Sequence, residues 1–263
     1  MKRANVGRKG AARGFTLVEL LLVMGIIVML VGLLFPAVNA AVTAVRIAAT
    51  QNTINNLSAG LETFKNDWGV YPPSSSGKDG WPPSSWGGPS DGYYALAYYL
   101  MGANGMGWGS LYNNLGPFGG AATGAYSPYF KITVLPSPNA SPDPVQDAFK
   151  PGKVIFYYRY EPAETTPYTI ASNRGSGILG DTSSANFMSQ AGLELLAKPK
   201  DAATSVNRWV RQDYLLISAG ADRYWGYVME TGSGSATRVQ QTESLTDVGS
   251  GAAMCDDICN FKH

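Results

Sequence analysis

The chain has 263 residues, a length that sets one domain as the default and two as the maximum. Its hydrophobic content of 45% allows a real core, and its 31 glycines, 16 prolines and 15 tyrosines indicate many turns fixed by aromatic side chains rather than disorder. The net charge of +1 argues against a nucleic-acid-binding protein with a broad basic face, so no nucleic-acid partner is expected.

The charges are distributed unevenly along the chain. Residues 1–14 contain no acid and five basic side chains: Lys2, Arg3, Arg8, Lys9 and Arg13. Removing these five from the 20 basic residues leaves 15 against 19 acidic ones, a net charge of −4 for the remainder. A basic start followed by an acidic body predicts a cytoplasmic N-terminus and a bulk that lies outside the cytoplasm.

A long apolar segment follows this basic start. Between Phe15 and Val45 the only charged side chain is Glu19. About 20 apolar residues suffice to span a bilayer as a helix, and a signal peptide has a shorter apolar region that ends at a cleavage site. The segment therefore predicts a transmembrane helix. A carboxylate inside it costs about 2.5 kcal/mol or more, so Glu19 either reaches water at the membrane edge or awaits a cation from another subunit.

The residues around Glu19 carry a recognisable signature. Residues 9–19, with the sequence KGAARGFTLVE, resemble the cleavage and methylation site of type IV pilins and type II secretion pseudopilins, and Pro36 matches the helix-kinking proline of that family. The resemblance implies that residues 1–14 are a leader, that prepilin peptidase cuts between Gly14 and Phe15, and that Phe15 becomes N-methylated. It also assigns Glu19 and Pro36 to filament assembly.

The expected assembly follows from charge and packing. Cleavage would leave an amine on Phe15, one helical turn from Glu19, and Glu19 could then pair with the amine of a neighbouring subunit. Because a buried charge without its partner is heavily penalised, this pairing would set the register of the filament. Pro36 would bend or locally melt the helix. The implied partners are other pilin-like subunits, prepilin peptidase and an inner-membrane assembly platform; the implied location is the bacterial inner membrane, then a periplasmic or extracellular filament.

The helix is predicted to cover residues 15–68, with 15–38 as the transmembrane and filament-core part and 39–68 as an amphipathic part. The amphipathic part is predicted from apolar residues that recur at helical spacing: Ile47, Ile54, Leu57, Leu61, Phe64 and Trp68. Gly69 is the expected stop, since the Pro72-Pro73 pair prevents continuation.

Residues 69–263 are predicted to form the head of an α+β pilin fold, in which the long helix packs on a small antiparallel sheet with long loops rich in glycine, proline and aromatic residues. Strands are expected at 153–160, 213–218 and 224–230, and less clearly at 129–135. Short helices are expected at 91–101, with Asp91 as N-cap, and at 184–198. Residues 104–129 are interpreted as a loop. The stretch 74–146 resembles an insertion relative to short pseudopilins.

Three landmarks of the head resemble those of major pseudopilins. They are the turn at 147–149, the segment 213–222, and the closing segment 256–261. In that family a loop near the C-terminus binds calcium, and the corresponding positions here are Asp222, Asp256 and Asp257. Hard oxygen ligands suit Ca²⁺. The alternative interpretation is a solvated pair at Asp256 and Asp257, with Asp222 capping a turn.

Two cysteines, Cys255 and Cys259, lie near the C-terminus. In an extracytoplasmic body they could form a short-loop disulfide, and the alternative is two reduced thiols. Because sequence does not fix the distance between their Cα atoms, both remain open.

Catalysis is not expected. The sole histidine is His263, which makes a Ser-His-Asp or Cys-His site improbable, and no phosphate-binding loop is present. The predicted function is therefore structural: a subunit of a type II secretion pseudopilus. The alternatives are a type IV pilin subunit for adhesion, motility or DNA uptake, and a membrane-anchored binding module that does not polymerise.

Overall fold

The computed structural model describes residues 15–74, 77, 79–80, 91–102, 105–111, 114–130, 144–150, 152–162, 167–168, 193, 211–220, 228–230, 238–240 and 258–260. The chain divides into two compact units, Met1–Val45 and Arg46–His263. Its architecture is α+β, with a long N-terminal helix and small antiparallel sheets.

Helix α1 (Leu17–Trp68) contributes to both units. It continues through Pro36, so the alternative of a locally melted helix at this proline is wrong. In the first unit its large apolar side chains are exposed. Among the described residues, α1 is the helix long and apolar enough to cross a membrane. This is compatible with membrane anchoring.

In the second unit, α1 buries one face. Ile54, Leu57, Leu61 and Phe64 are fully buried, as their spacing predicts. The inclusion of Ile47 in that face is wrong, because its side chain is 43% exposed. The buried face starts one turn later, where Thr50 lies inside and its hydroxyl accepts a hydrogen bond from the Ala148 amide at 3.1 Å.

The segment after α1 is fixed to the sheet by polar contacts. The Tyr157 hydroxyl donates to the Pro72 carbonyl at 2.7 Å, and the Arg159 amide donates to Ser74 Oγ at 2.9 Å. Pro72, Pro73 and Ser74 are buried. The chain therefore ends its helix near Gly69, as predicted, and then packs against β-strand residues up to Ser74.

The strands are short. In chain order they are β1 (Trp108–Gly109), β2 (Ala125–Tyr126), β3 (Phe156–Arg159), β4 (Tyr214–Ser218), β5 (Val228–Glu230), β6 (Arg238–Gln240) and β7 (Ile258–Cys259). The central sheet has three strands in the order β3-β4-β7, all antiparallel, while β1 pairs with β2 and β5 pairs with β6.

Both faces of the central sheet are covered. Successive side chains of a strand point to opposite faces. Tyr157, Tyr214 and Leu216 accordingly pack into the cluster that holds the buried face of α1. Their neighbours Phe156, Tyr158, Leu215 and Ile217 enter a second cluster, together with Tyr168 and Leu193. Strand β4 is buried along its whole length, which explains its nearly continuous apolar sequence.

Helix α2 (Gly92–Met101) forms where residues 91–101 predicted a helix, and nearly all its side chains are buried. Asp91 has the extended conformation of an N-cap, but its side chain makes no capping hydrogen bond. Instead its carboxylate accepts from the Tyr93 hydroxyl at 3.3 Å. The capping position was therefore predicted correctly and the side-chain role was not.

The interpretation of residues 104–129 as a loop is wrong in part, because this stretch contains β1 and β2. Trp108 is 1% exposed, and its indole N–H donates to the Tyr99 carbonyl at 2.9 Å. Tyr126 packs on Trp68 with ring centroids 4.7 Å apart. The aromatic residues of this stretch thus build part of the core.

The remaining predicted elements fall partly outside the described residues. Strand β4 matches the prediction, and β3 is shorter than 153–160, with Val154 forming an isolated bridge to Gln146. Strand β5 lies inside the predicted 224–230 and pairs with the unpredicted β6. Residues 129–130 form a bend rather than a strand, and 131–135 lie outside the description. Of the predicted helix 184–198, only Leu193 is described, and it is helical.

Candidate functional site

The start of α1 carries a reciprocal capping box formed by Thr16 and Glu19. The Glu19 Oε2 atom accepts hydrogen bonds from the Thr16 amide at 2.9 Å and the Thr16 hydroxyl at 2.8 Å. In return, the Glu19 amide donates to Thr16 Oγ1 at 3.2 Å. Thr16 precedes the first helical residue and Glu19 is the third, which is the spacing of a capping box. The motif satisfies backbone donors that the first turn would leave unpaired.

The sequence left two explanations for Glu19, contact with water at the membrane edge and pairing with a cation of another subunit. The capping box is a third explanation. The Glu19 carboxylate is hydrogen-bonded within its own chain, which lowers the cost of a polar group in an apolar segment. The sequence analysis missed Thr16, although the Thr-x-x-Glu pattern before an apolar run was the signal for it. Phe15 is exposed, and Gly14 lies outside the described residues.

The part of α1 that follows this capping box has a large exposed apolar surface. Leu17, Val18, Leu21 and Leu22 are each more than 60% exposed, and exposure of large apolar side chains continues to Ile47. Burial of apolar surface contributes about 25 cal/mol per Å². Such a surface is stable in hydrocarbon or against other apolar helices.

The head contains a buried carboxylate that joins segments far apart in sequence. Asp147 Oδ1 accepts from the amides of Phe149 and Lys153, each at 3.1 Å, and Oδ2 accepts from the Ser218 hydroxyl at 3.0 Å. Thr50 of α1 binds the next residue, Ala148. The structure thus brings the 147–149 landmark to the end of β4, where the 213–222 landmark passes.

The third landmark reaches the same strand through Asn260. The Leu216 amide donates to the Asn260 side-chain oxygen at 2.9 Å, and the Asn260 amide donates to the Leu216 carbonyl at 3.2 Å. The side-chain amide of Asn260 also lies 3.5 Å from the Tyr214 carbonyl. Asn260 therefore extends the pairing of β7 with β4 through both its backbone amide and its side chain. Position 260 belonged to a recognised landmark, but no local pattern predicted this pairing.

Arg211 and Asp213 form a salt bridge directly before β4. Arg211 Nε donates to Asp213 Oδ1 at 2.8 Å, and a second contact joins Arg211 Nη2 to Asp213 Oδ2. The Tyr214 amide also donates to Asp213 Oδ1 at 2.7 Å. Partial burial alone would raise the pKa of Asp213, but the hydrogen bonds from Arg211 and Tyr214 outweigh it and hold the pKa below its usual value. Asp213 is therefore a salt-bridged carboxylate with a structural role.

The predicted calcium ligands Asp222, Asp256 and Asp257 lie outside the described residues. Their described neighbours are adjacent, since Ser218 at the end of β4 pairs with Ile258 at the start of β7. Within the described parts of the chain, no group of three or more histidine, cysteine or acidic side chains is arranged to hold a metal ion. Of the two cysteines, Cys259 is buried in β7 and Cys255 is outside the description, so the disulfide prediction stands untested.

Comparison with known proteins found no match among protein-family models, curated proteins or solved structures.

Proposed function

We propose that this chain is a pilin-like subunit that is cleaved after Gly14 by prepilin peptidase, N-methylated on Phe15 and polymerised through α1. The observation that carries the proposal is the placement of Glu19 at the start of an exposed apolar helix, directly after the cleavage and methylation signature. The proposed role is structural rather than catalytic.

The capping box suggests how Glu19 acts in two states. Before assembly, Thr16 supplies hydrogen bonds to its carboxylate, so the subunit can wait in the membrane without an unpaired buried charge. During assembly, the amine of a neighbouring Phe15 offers a full positive charge, which adds a Coulombic attraction to the carboxylate that the neutral Thr16 donors do not supply. The exchange of partners favours the polymer when the two subunits are in register.

Within the pilin-like proteins, we assign the chain to the pseudopilus of a type II secretion system. The support is the meeting of the three head landmarks on one strand: Asp147 binds Ser218, and Asn260 binds Leu216. These landmarks lie up to about a hundred residues apart in the chain. If all three build one sheet, the fold itself explains why they occur in the same protein. We place the unassembled subunit in the bacterial inner membrane and the assembled one in a filament beyond it.

Calcium binding by Asp222, Asp256 and Asp257 belongs to the same proposal. The pairing of Ser218 with Ile258 supports it, because the two acidic segments leave the sheet at the same end. If Ca²⁺ joins them, adding a calcium chelator lowers the melting temperature of the head, and adding Ca²⁺ back restores it. A melting temperature that a chelator leaves unchanged would reject the calcium site and leave the filament proposal standing.

The deciding experiment is intact mass and N-terminal sequencing of protein from native membranes of cells with an active prepilin peptidase. A chain that starts at Phe15 and carries one additional methyl group is the expected result. A start at Met1 would contradict the proposal and make a membrane-anchored binding module the leading account. A search for neighbouring genes then separates secretion from motility, since an added retraction ATPase would favour a type IV pilus.

A further inference from the structure

The capping box of Thr16 and Glu19 determines where α1 begins. Among the described residues, the first backbone hydrogen bond of the helical pattern joins the Leu20 amide to the Thr16 carbonyl at 3.2 Å. Phe15 and Thr16 are themselves not helical. The helix therefore starts within two residues of the bond between Gly14 and Phe15, which is the cleavage site of the proposed function.

The capping box also occupies two backbone amides that a longer helix would need. In an α-helix each amide donates to the carbonyl four residues before it. An extension toward the N-terminus would pair the Glu19 amide with the Phe15 carbonyl and the Thr16 amide with the Ala12 carbonyl. Instead, the Glu19 amide donates to Thr16 Oγ1 and the Thr16 amide donates to Glu19 Oε2. An extension of the helix has to break both of these bonds first.

The composition of the leader makes such a stop necessary. Ala11, Ala12 and Arg13 are strong helix formers, and they lie directly before Gly14. An isolated glycine is tolerated within a helix, so Gly14 alone does not end one. The residue that sets the helix start by its own hydrogen bonds is Thr16.

The helix start matters because a peptidase needs access to the backbone. Peptides that bind beside a strand of their partner do so in an extended conformation, and proteolysis concentrates in exposed segments outside regular structure. Phe15, on the carboxyl side of the proposed cut, is 74% exposed and not helical. A helix that continued through residues 14 and 15 would have to unwind before cleavage.

We infer that Thr16 is a positioning residue for the peptidase reaction, because its cap keeps the bond between Gly14 and Phe15 outside α1. This role rests on the proposed function, since it concerns that cleavage. In the reaction, water adds to the Gly14 carbonyl carbon and the bond to the Phe15 nitrogen breaks, which leaves a carboxylate on Gly14 and an amine on Phe15. The Thr16 hydroxyl takes no part in these steps. The cap uses the backbone amide of Glu19, so Glu19→Ala retains it.

The initial rate of leader removal tests this role in full-length chains that are co-expressed with limiting prepilin peptidase. Thr16→Val keeps the shape of threonine but lacks the oxygen that accepts the hydrogen bond, whereas Thr16→Asn changes the shape and is an equally good N-cap. The rate follows the fraction of chains that is not helical at the cut. Thr16→Val is therefore expected to be cleaved about three- to five-fold more slowly than the wild type. Thr16→Asn and Glu19→Ala should stay within about 1.5-fold of it.

The two substitutions at residue 16 separate capping from direct recognition by the peptidase. A peptidase that recognises the shape of this side chain would cleave Thr16→Val at the normal rate and Thr16→Asn slowly. One that recognises the hydroxyl group would cleave both slowly. Either pattern, or equal rates for all the variants, would overturn the role of the cap.

Amide hydrogen exchange tests the helix start without the peptidase. The full chain is purified in detergent from cells that lack the enzyme, and exchange is followed in fragments that include Phe15. Exchange is expected to be slower in Thr16→Val than in Thr16→Asn, because the helix then extends past Phe15; equal exchange would contradict the inference. A wild-type chain that is not cleaved after Gly14 overturns the proposed function and this role together. Normal cleavage of both the wild type and Thr16→Val removes only the role of Thr16.

Discussion

Asp147 shows how much one side chain can determine in this head. It is 7% exposed, and its two oxygens accept three hydrogen bonds from groups that lie before β3 and at the end of β4. The landmark at 147–149 marked the position, but the Ser218 partner is 71 residues away. Local patterns cannot locate a partner at that separation, because only the folded sheet brings the two together.

We expect Asp147→Asn to lower the free energy of unfolding by about 2–3 kcal/mol, since an amide nitrogen cannot accept the bonds that a carboxylate oxygen accepts in a buried site. Ser218→Ala removes one of the three donors and should cost about 1 kcal/mol. Ser110→Ala, at an exposed position, is the control. Chemical denaturation of the full chain in detergent, followed by tryptophan fluorescence, gives the three values. Equal stability of Asp147→Asn and Ser110→Ala would show that the buried carboxylate is not needed.

Asp213 makes a prediction about pH. Burial alone would raise its pKa in the folded head, but hydrogen bonds from Arg211 and Tyr214 outweigh that effect and hold the pKa below its usual value. A carboxylate whose folded pKa is depressed contributes stability that is fully present above the unfolded pKa and is lost as the pH falls through the folded pKa.

The stability difference between the wild type and Asp213→Asn should therefore be constant from neutral pH to about pH 5 and shrink as the solution is acidified below about pH 4. Denaturation series at several pH values measure it. A difference that grows on acidification would have the wrong sign for a salt-bridged Asp213. Gln212→Asn, at the exposed neighbouring position, should show no such pH dependence.

At the scale of elements, periodicity predicted what is long or strongly patterned. The buried face of α1 and the strand β4 were predicted because their apolar residues recur over several turns or fill a continuous run. Strands β1 and β2 were missed because each has two residues, too few for an alternating pattern. Their pairing depends on the packing of Trp108 and on the conformation of Gly109, and neither can be read from local sequence.

Gly109 gives the sharpest test of the element that sequence missed. Gly109→Ala forces a side chain into a left-handed conformation, which costs about 1–2 kcal/mol, and into contact with the Gly124 carbonyl. We expect a total loss of at least about 2 kcal/mol in unfolding free energy. Gly120→Ala is the matched control, because a Cβ atom there meets nothing within 4 Å. Thermal unfolding of both variants compares them. A Gly109→Ala protein as stable as the control would contradict the described β1–β2 pairing.

At the scale of the molecule, the sequence predicted a division of labour between a membrane helix and a head. The apolar segment was readable because a bilayer needs about 20 apolar residues and few other structures do. The Thr16–Glu19 capping box was missed, because a lone carboxylate in an apolar segment is equally compatible with a role in subunit contact. The calcium positions and Cys255 lie beyond the described residues, so their assignments remain predictions.

The proposed filament predicts that Glu19→Ala is processed but not assembled. Cleavage requires the leader and Gly14, whereas assembly requires a carboxylate to pair with the amine of a neighbouring Phe15. Intact mass of the membrane fraction and recovery of sheared filaments separate the two steps. Asn52→Ala, which removes an exposed polar side chain from the part of α1 in the head, is the control and should assemble. Normal filaments from Glu19→Ala would contradict the role of Glu19 in assembly, both for a pseudopilus and for a type IV pilus.

The short pairing of β7 has a consequence for aggregation. Subunits held at high density in a membrane or a polymer expose their sheet edges to one another, and a long open edge would invite strand exchange. Among the described residues the edge strand β7 has only two residues, so it turns few backbone groups outward. A foreign strand therefore finds few unpaired groups at that edge, so crowding can promote ordered assembly without promoting amyloid-like growth.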